Sequence, residues 1–163
     1  MSLFADDRFQ WRETYSVLFD SRRRIKVKDF EAALADLAKK IEITEVLADE
    51  EGFLESCTIF AHADSAGMDV VYIEGEEVTE QLAELRKDWR RQPFDAEEKA
   101  KAAQALLANA RYDVFHFEEL GDAFLDQENE DEVLDPVTLL KVLAKLTRLT
   151  HGVSIDPQAG FVL

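Results

Sequence analysis

The chain has 163 residues, of which 47% are hydrophobic and 33% are charged, and 35 acidic side chains against 19 Lys and Arg give it a formal net charge of −16. A chain of this length buries about 70% of its unfolded surface, and its apolar fraction is typical of globular proteins, which excludes wholesale disorder. No apolar run approaches the roughly 18 residues of a membrane span, and the first residues lack the basic and apolar regions of a signal peptide. We therefore expect a soluble, cytoplasmic protein without membrane association.

Two simple features limit the classes of function. Cys57 is the single cysteine, which excludes both an intramolecular disulfide framework and a thiolate zinc cluster. The negative charge repels phosphate backbones, so nucleic-acid binding is disfavoured. A basic protein is the expected partner, because attraction between opposite charges raises association rates. The one basic cluster, residues 22–28, is interpreted as a solvated turn before a helix.

The first part of the chain alternates between strand and helix patterns. Residues 13–19 are rich in β-forming side chains and predict a strand. From Val27 the apolar spacing becomes helical for about thirteen residues, with lysines at the end, as the helix dipole favours. In residues 41–49 apolar and polar side chains alternate, with one break in the alternation, which we call the slip. They alternate again in residues 53–64. This pattern predicts two strands joined by an acidic hairpin loop at residues 49–52.

The rest of the chain predicts more of both element types. Pro93 interrupts one helical pattern before an alanine-rich helix begins. Asp135 and Pro136 suit the N-cap and first positions of the last helix. The tail predicts two short strands around a turn at residues 156–160. The predicted strands cover residues 68–75 and 111–119, with a pair of short strands in residues 151–163. The predicted helices cover residues 76–91, 96–110 and 135–150.

This order of elements predicts an α+β fold. We expect a two-layer sandwich with a largely antiparallel sheet and helices packed on one side, close to the split βαβ plan with an additional strand. Tyr15 and Tyr112 each open a Tyr-x-Val strand that precedes a leucine-rich helix and a hairpin, which suggests a degenerate βαββ duplication. No Gly/Ser-rich or Pro-rich linker appears, so we expect a single domain over residues 1–163 with sub-halves 13–92 and 93–163.

A repeated His-x-acid pattern is the candidate metal site. The sequence lacks the common nucleotide-binding, metalloprotease, nucleophile-elbow and EF-hand motifs. His62 with Asp64, and His116 with Glu118, are each two residues apart, so the members of a pair would share one face of a strand. Two imidazoles and two carboxylates can bind a divalent metal where such strands are adjacent. A turn at His62 is the competing interpretation, and no cofactor is expected.

Three other features are candidates for contact or chemistry. Trp89 is a candidate lid or interface residue, because tryptophan is enriched at binding hot spots. Cys57 lies in the apolar face of a predicted strand and is expected to be an inert buried thiol. Residues 118–135 hold nine acids and no Lys or Arg, which indicates a solvated loop or a docking surface for a basic partner. The candidate contacts in this stretch are Glu128, Glu130, Asp131 and Glu132.

The sequence therefore favours a non-enzymatic, adaptor-like protein that binds another protein through surface carboxylates. A homodimer formed through a sheet edge or a helical face is compatible with this interpretation. Two alternatives stay open. A small-ligand or metal-dependent enzyme would have its pocket near His62 and His116. A nucleic-acid mimic would present ordered carboxylates to a DNA-binding protein.

Overall fold

A computed structural model of the chain describes residues 2–120 and 136–163. Within these ranges the strands form one seven-stranded sheet in the order β2-β3-β4-β5-β1-β6-β7, and its pairings are antiparallel. The α+β class and the antiparallel sheet are confirmed. The elements are β1 (Phe9–Phe19), α1 (Val27–Ala33), β2 (Glu42–Ala48), β3 (Leu54–Ala61), β4 (Ala66–Glu74), α2 (Glu76–Trp89), α3 (Ala96–Ala105), β5 (Ala110–Glu119), α4 (Val137–Thr150), β6 (Val153–Asp156) and β7 (Phe161–Val162).

The centre of the sheet contains a split βαβ unit. Strands β5 and β6 both pair antiparallel with β1, so they run parallel to each other on either side of it, and α4 connects them. The order strand, helix, hairpin occurs twice, as β1, α1, β2–β3 and as β5, α4, β6–β7. An actual duplication stays a prediction. The division into sub-halves at residue 92 also stays a prediction. In the sheet, β1 of the first sub-half lies between β5 and β6 of the second.

Helices cover both faces of the sheet, whereas the sequence predicted helices on one side. Neighbouring residues of a strand point to opposite faces, and Val17 and Leu18 of β1 belong to two separate cores. Helices α1 and α4 pack over what we call the Val17 face, and α2 and α3 pack over the Leu18 face. The Val17 face is apolar across the middle of the sheet, and the Leu18 face is apolar mainly at β1 and β6, so burying both faces requires a helical layer on each.

The element boundaries follow the predictions with three corrections. Strand β1 begins at Phe9, before the predicted start at residue 13, because the strand continues along the end of β5. Helix α1 ends at Ala33, and a single 3-10 turn follows it instead of further α-helix. The N-cap of α4 is Pro136, which replaces the predicted cap at Asp135, a residue outside the described ranges. The slip in β2 is a bulge at Glu45, whose φ is +50°.

Two short features complete the description. At the start of the chain, Leu3 and Phe9 are buried side by side, whereas Phe4 and Trp11 are 59% and 40% exposed. The described residues contain no helix that is both long enough and apolar enough to cross a membrane.

Gly152 is required where the chain turns from α4 into β6. A Cβ at this position would lie 2.6 Å from the Leu18 carbonyl oxygen and 3.0 Å from the Phe19 Cβ. Because these atoms belong to β1, which pairs with a strand on each side, they cannot move away, and we expect Gly152→Ala to lower the free energy of unfolding by about 1–3 kcal/mol. Urea denaturation measures this change.

Gly67→Ala is the matched control for that measurement. A Cβ at Gly67 would meet the end of the Leu3 side chain at 2.7 Å and the Phe9 ring at 3.0 Å. Both neighbours are side-chain atoms near the N-terminus and can shift, so we expect Gly67→Ala to lose less stability than Gly152→Ala. Equal losses in the two variants would contradict this account of Gly152.

Candidate functional site

An apolar groove of about 780 Å³ lies on the Leu18 face, over β3 and β4. No residue of α2 or α3 is among the described residues that line it, so this part of the sheet lacks the helical cover found elsewhere on that face. Strand β2 forms one wall through Leu47, and the N-terminal segment forms the end through Phe4. We call this feature the β3–β4 groove; its main lining residues are Phe4, Leu47, Thr58, Asp69, Val71 and Phe115.

The strand register determines the floor of the groove. Thr58 on β3 lies opposite Asp69 on β4, which in turn lies opposite Phe115 on β5. Residues paired in this way have side chains on the same face. One polar row and one aromatic ring therefore lie side by side, although they come from three separate segments of the chain.

Asp69 is the buried carboxylate at this floor. Its Oδ1 accepts a hydrogen bond from Thr58 Oγ1 at 2.9 Å, and its Oδ2 accepts from Ser2 Oγ at 2.6 Å and from the Leu3 backbone N–H at 3.0 Å. Three donors satisfy a buried carboxylate. Asp69 therefore fastens the N-terminal segment to the sheet, and this segment forms the end of the groove.

A second buried carboxylate, Asp113, lies on the same face one row away. It accepts hydrogen bonds from Ser16 Oγ at 2.7 Å and from Arg111 Nε at 3.0 Å. Arg111 also donates to Gln81 Oε1 on α2 at 2.8 Å, so this cluster connects the sheet to the helical layer. The sequence predictions missed both aspartates. The sequence did contain a signal, because each of two apolar strands has one Asp in its interior. A buried Asp needs hydrogen-bond donors.

The four residues of the predicted metal site each have a different partner. His62 and Asp64 form a 3-10 turn, so the prediction that they share one face of a strand is wrong. No group of three or more His, Cys, Asp or Glu among the described residues is arranged to hold a metal. The metal site stays a sequence-based prediction. The observed pairs are His62 with Glu119, Asp64 with Thr138, His116 with Glu13, and Glu118 with Arg12.

His116 is the buried imidazole of the chain and points into the Val17 face. Its Nδ1 lies 3.2 Å from Glu13 Oε1, and its Nε2 has no hydrogen-bond partner among the described residues. Burial lowers the pKa of His116 below its ordinary value, and the nearby carboxylates of Glu13 and Asp64 only partly oppose this effect. Burial therefore disfavours the charged form of the ring.

Cys57 is among the residues that line the β3–β4 groove, but its side chain belongs to the core of the Val17 face. Cys57 is buried, as the sequence predicted, and burial raises the pKa of its thiol to about 12. Trp89 is buried between α2 and the turn before β7, where its Nε1 donates to the Gly160 carbonyl at 3.0 Å. The acidic candidates Glu128, Glu130, Asp131 and Glu132 lie outside the described residues.

Comparison with known proteins adds no relative: no family model, no curated protein and no solved structure matches this chain.

Replacing Asp69 tests its role in closing the groove. We expect Asp69→Ala to lower the free energy of unfolding by about 2 kcal/mol, because Thr58 and the Leu3 N–H lose their acceptor in a buried setting. Hydrogen exchange at the Leu3 amide should also accelerate. The exposed Asp7 gives the control variant Asp7→Ala, which should change neither quantity. Slow exchange at Leu3 in Asp69→Ala would contradict the anchoring role.

The buried histidine predicts a pH dependence of stability. Because the pKa of His116 is lower in the folded than in the unfolded chain, the unfolded chain binds more protons, and stability falls as the pH drops below the unfolded value of about 6.5. Urea midpoints at about pH 7.5 and about pH 5.5 measure this loss. His116→Gln should lose less stability between the two pH values than wild type, because Gln cannot take up the proton that the unfolded imidazole binds. If His116→Gln loses as much stability as wild type between the two pH values, His116 is not the source of the pH dependence.

Proposed function

We propose that this chain is a non-enzymatic, adaptor-like protein that binds a basic partner protein. The β3–β4 groove would receive apolar side chains of the partner, and surface carboxylates would attract its cations. The observation that carries this proposal is the apolar region over β3 and β4 that no described helix covers, whereas β1 packs under helices on both of its faces. Exposed apolar surface bordered by polar residues is typical of interaction sites.

The chemistry of the groove favours binding over catalysis. Asp69 already accepts three hydrogen bonds, and Asp113 is paired with Arg111 and Ser16, so neither carboxylate is placed to exchange a proton with a substrate. The Cys57 thiol stays protonated at neutral pH because its pKa is raised. The lining therefore offers contact surface, with no activated nucleophile or base.

The charges around the groove favour a basic partner. Glu45 lines the groove, and no Lys or Arg belongs to its described lining. Further carboxylates at Glu76, Glu77 and Glu80 are exposed on α2, which packs over the same face. In a chain of net charge −16, these groups attract a cationic segment at long range, and the groove then holds its apolar side chains.

An exposed leucine at the rim allows a specific test. Leu47 is 60% exposed on β2, so Leu47→Asp leaves the core intact while it removes apolar contact and adds a negative charge. The probe is a synthetic amphipathic peptide with leucine on one helical face and lysine on the other, measured by fluorescence anisotropy. We expect Leu47→Asp to weaken binding about tenfold, because burying one leucine contributes about 1.5–3 kcal/mol.

Leu107→Asp is the matched control, because Leu107 is 85% exposed and does not line the groove. It carries the same change of charge and should bind the probe like wild type. Binding should also weaken as salt is raised to about 0.15 M, since screening reduces the attraction. Equal affinity in the Leu47 and Leu107 variants would contradict the use of the groove. Binding of an uncharged apolar dye without any binding of the peptide would instead favour a small-ligand pocket.

A further inference from the structure

The outer surface of α4 is basic, in contrast to the chain as a whole. Lys141, Lys145 and Arg148 of α4 line two grooves that flank this helix, together with Lys40 and, from α3, Lys101. Asp36 is the one acidic residue in the described lining of these grooves. A chain with 19 Lys and Arg against 35 acids thus places five of its cations around one helix.

Two of these five cations contact a described partner, and the other three form no ion pair within residues 2–120 and 136–163. Lys145 Nζ lies 2.9 Å from Asp36 Oδ1, and Lys101 Nζ donates to the Leu163 backbone oxygen at 3.1 Å. Lys40, Lys141 and Arg148 have no ion pair with any described residue. A cation that has no ion pair among the described residues can bind an incoming carboxylate without breaking an existing ion pair.

The surface between the cations is apolar and concave. The two grooves have volumes of about 480 and 420 Å³ and share Ala144 and Arg148, so they lie on either side of the outer ridge of α4. Ala144 makes this ridge low. Leu140 and Leu163 border the larger groove and are 50% and 46% exposed. We call the whole region the α4 surface; it consists of Lys40, Leu140, Lys141, Ala144, Arg148 and Leu163.

The spacing along α4 fits a second helix. Leu140, Ala144 and Arg148 are four residues apart, so their side chains follow one another along a single stripe. A small residue in the middle of such a stripe allows another helix to approach, with its own side chains packed into the grooves on either side. The 14 residues of α4 span about 21 Å, which offers a partner helix about four turns of contact.

We propose that the α4 surface binds an acidic amphipathic helix of a partner protein. The apolar side chains of that helix would lie over Leu140 and Ala144, and its carboxylates would pair with Lys40, Lys141 and Arg148. Charge complementarity identifies the class of partner: an apolar docking surface surrounded by unpaired cations selects an apolar helix that carries acids. The site lies on the outside of α4, which packs over the Val17 face, and its larger groove extends to Val153 of β6 and Lys101 of α3. It shares no described lining residue with the β3–β4 groove and does not depend on the function proposed for that groove.

The test uses a synthetic helix of about 14 residues with leucine on one face and glutamate on the other. At about 0.15 M salt the screening length is about 8 Å, so nearby cations outweigh the distant negative charges. We expect the wild-type chain to bind this peptide and the double variant Lys141→Glu/Arg148→Glu to bind it at least tenfold more weakly. Ala144→Trp, which fills both grooves without any change of charge, should also weaken binding at least tenfold.

The double variant Arg86→Glu/Arg91→Glu is the matched control. It makes the same change of net charge at exposed residues in and after α2, on the other side of the sheet, and should retain wild-type binding. Leu47→Asp should retain it too, which separates this site from the β3–β4 groove. Circular dichroism verifies that each variant is folded.

Three results would overturn the proposal. The first is no binding of the acidic peptide by the wild-type chain. The second is an equal loss of binding in the two double variants, which would indicate a general effect of net charge. The third is binding of a single-stranded oligonucleotide as tight as that of the peptide, which would show that the cations recognise phosphate and that the apolar grooves are not used.

Discussion

The register between β1 and β5 is the constraint on which both cores and both surfaces depend. These strands pair over most of their length, from Phe9 opposite Glu119 to Phe19 opposite Ala110. Side chains alternate between the faces, so a slip of β1 by one residue would turn Leu18 toward the core under α4 and would turn Ser16 away from Asp113. The hydrogen bond between Ser16 and Asp113 forms only in the observed register, which ties the polar cluster on the Leu18 face to the apolar packing on the Val17 face.

Local patterns predicted the elements well, because periodicity depends on neighbours in the sequence. The predicted strands at residues 68–75 and 111–119 are close to β4 and β5, and the slip noticed in residues 41–49 is the bulge of β2. The coverage of both faces could not be predicted in the same way. A strand that alternates Tyr15, Val17 and Phe19 shows one apolar face, but Leu18 becomes a core residue only because β6 and the α2–α3 layer are packed beside it.

The candidate site was harder to predict because its residues meet through long-range pairing. Thr58, Asp69 and Phe115 form one row of the sheet, yet nothing in their local sequence shows that β3, β4 and β5 are neighbours. The histidine pattern failed for a related reason. A spacing of two residues places side chains together on a strand, but the chain leaves the sheet at Ala61 and His62 begins a 3-10 turn. A spacing rule is therefore only as reliable as the element to which it is applied.

Two surfaces of opposite charge can coexist in one small acidic protein because screening makes electrostatics local. The α4 surface and the β3–β4 groove lie on opposite sides of the sheet, and stacked layers of structure are about 10 Å apart. This separation exceeds the screening length of about 8 Å at physiological ionic strength. An acidic segment at the α4 surface would therefore interact mainly with Lys141 and Arg148, while a basic segment at the groove would interact mainly with carboxylates. The sheet thus separates two environments of opposite charge, and this separation would let one domain hold two unlike partners together.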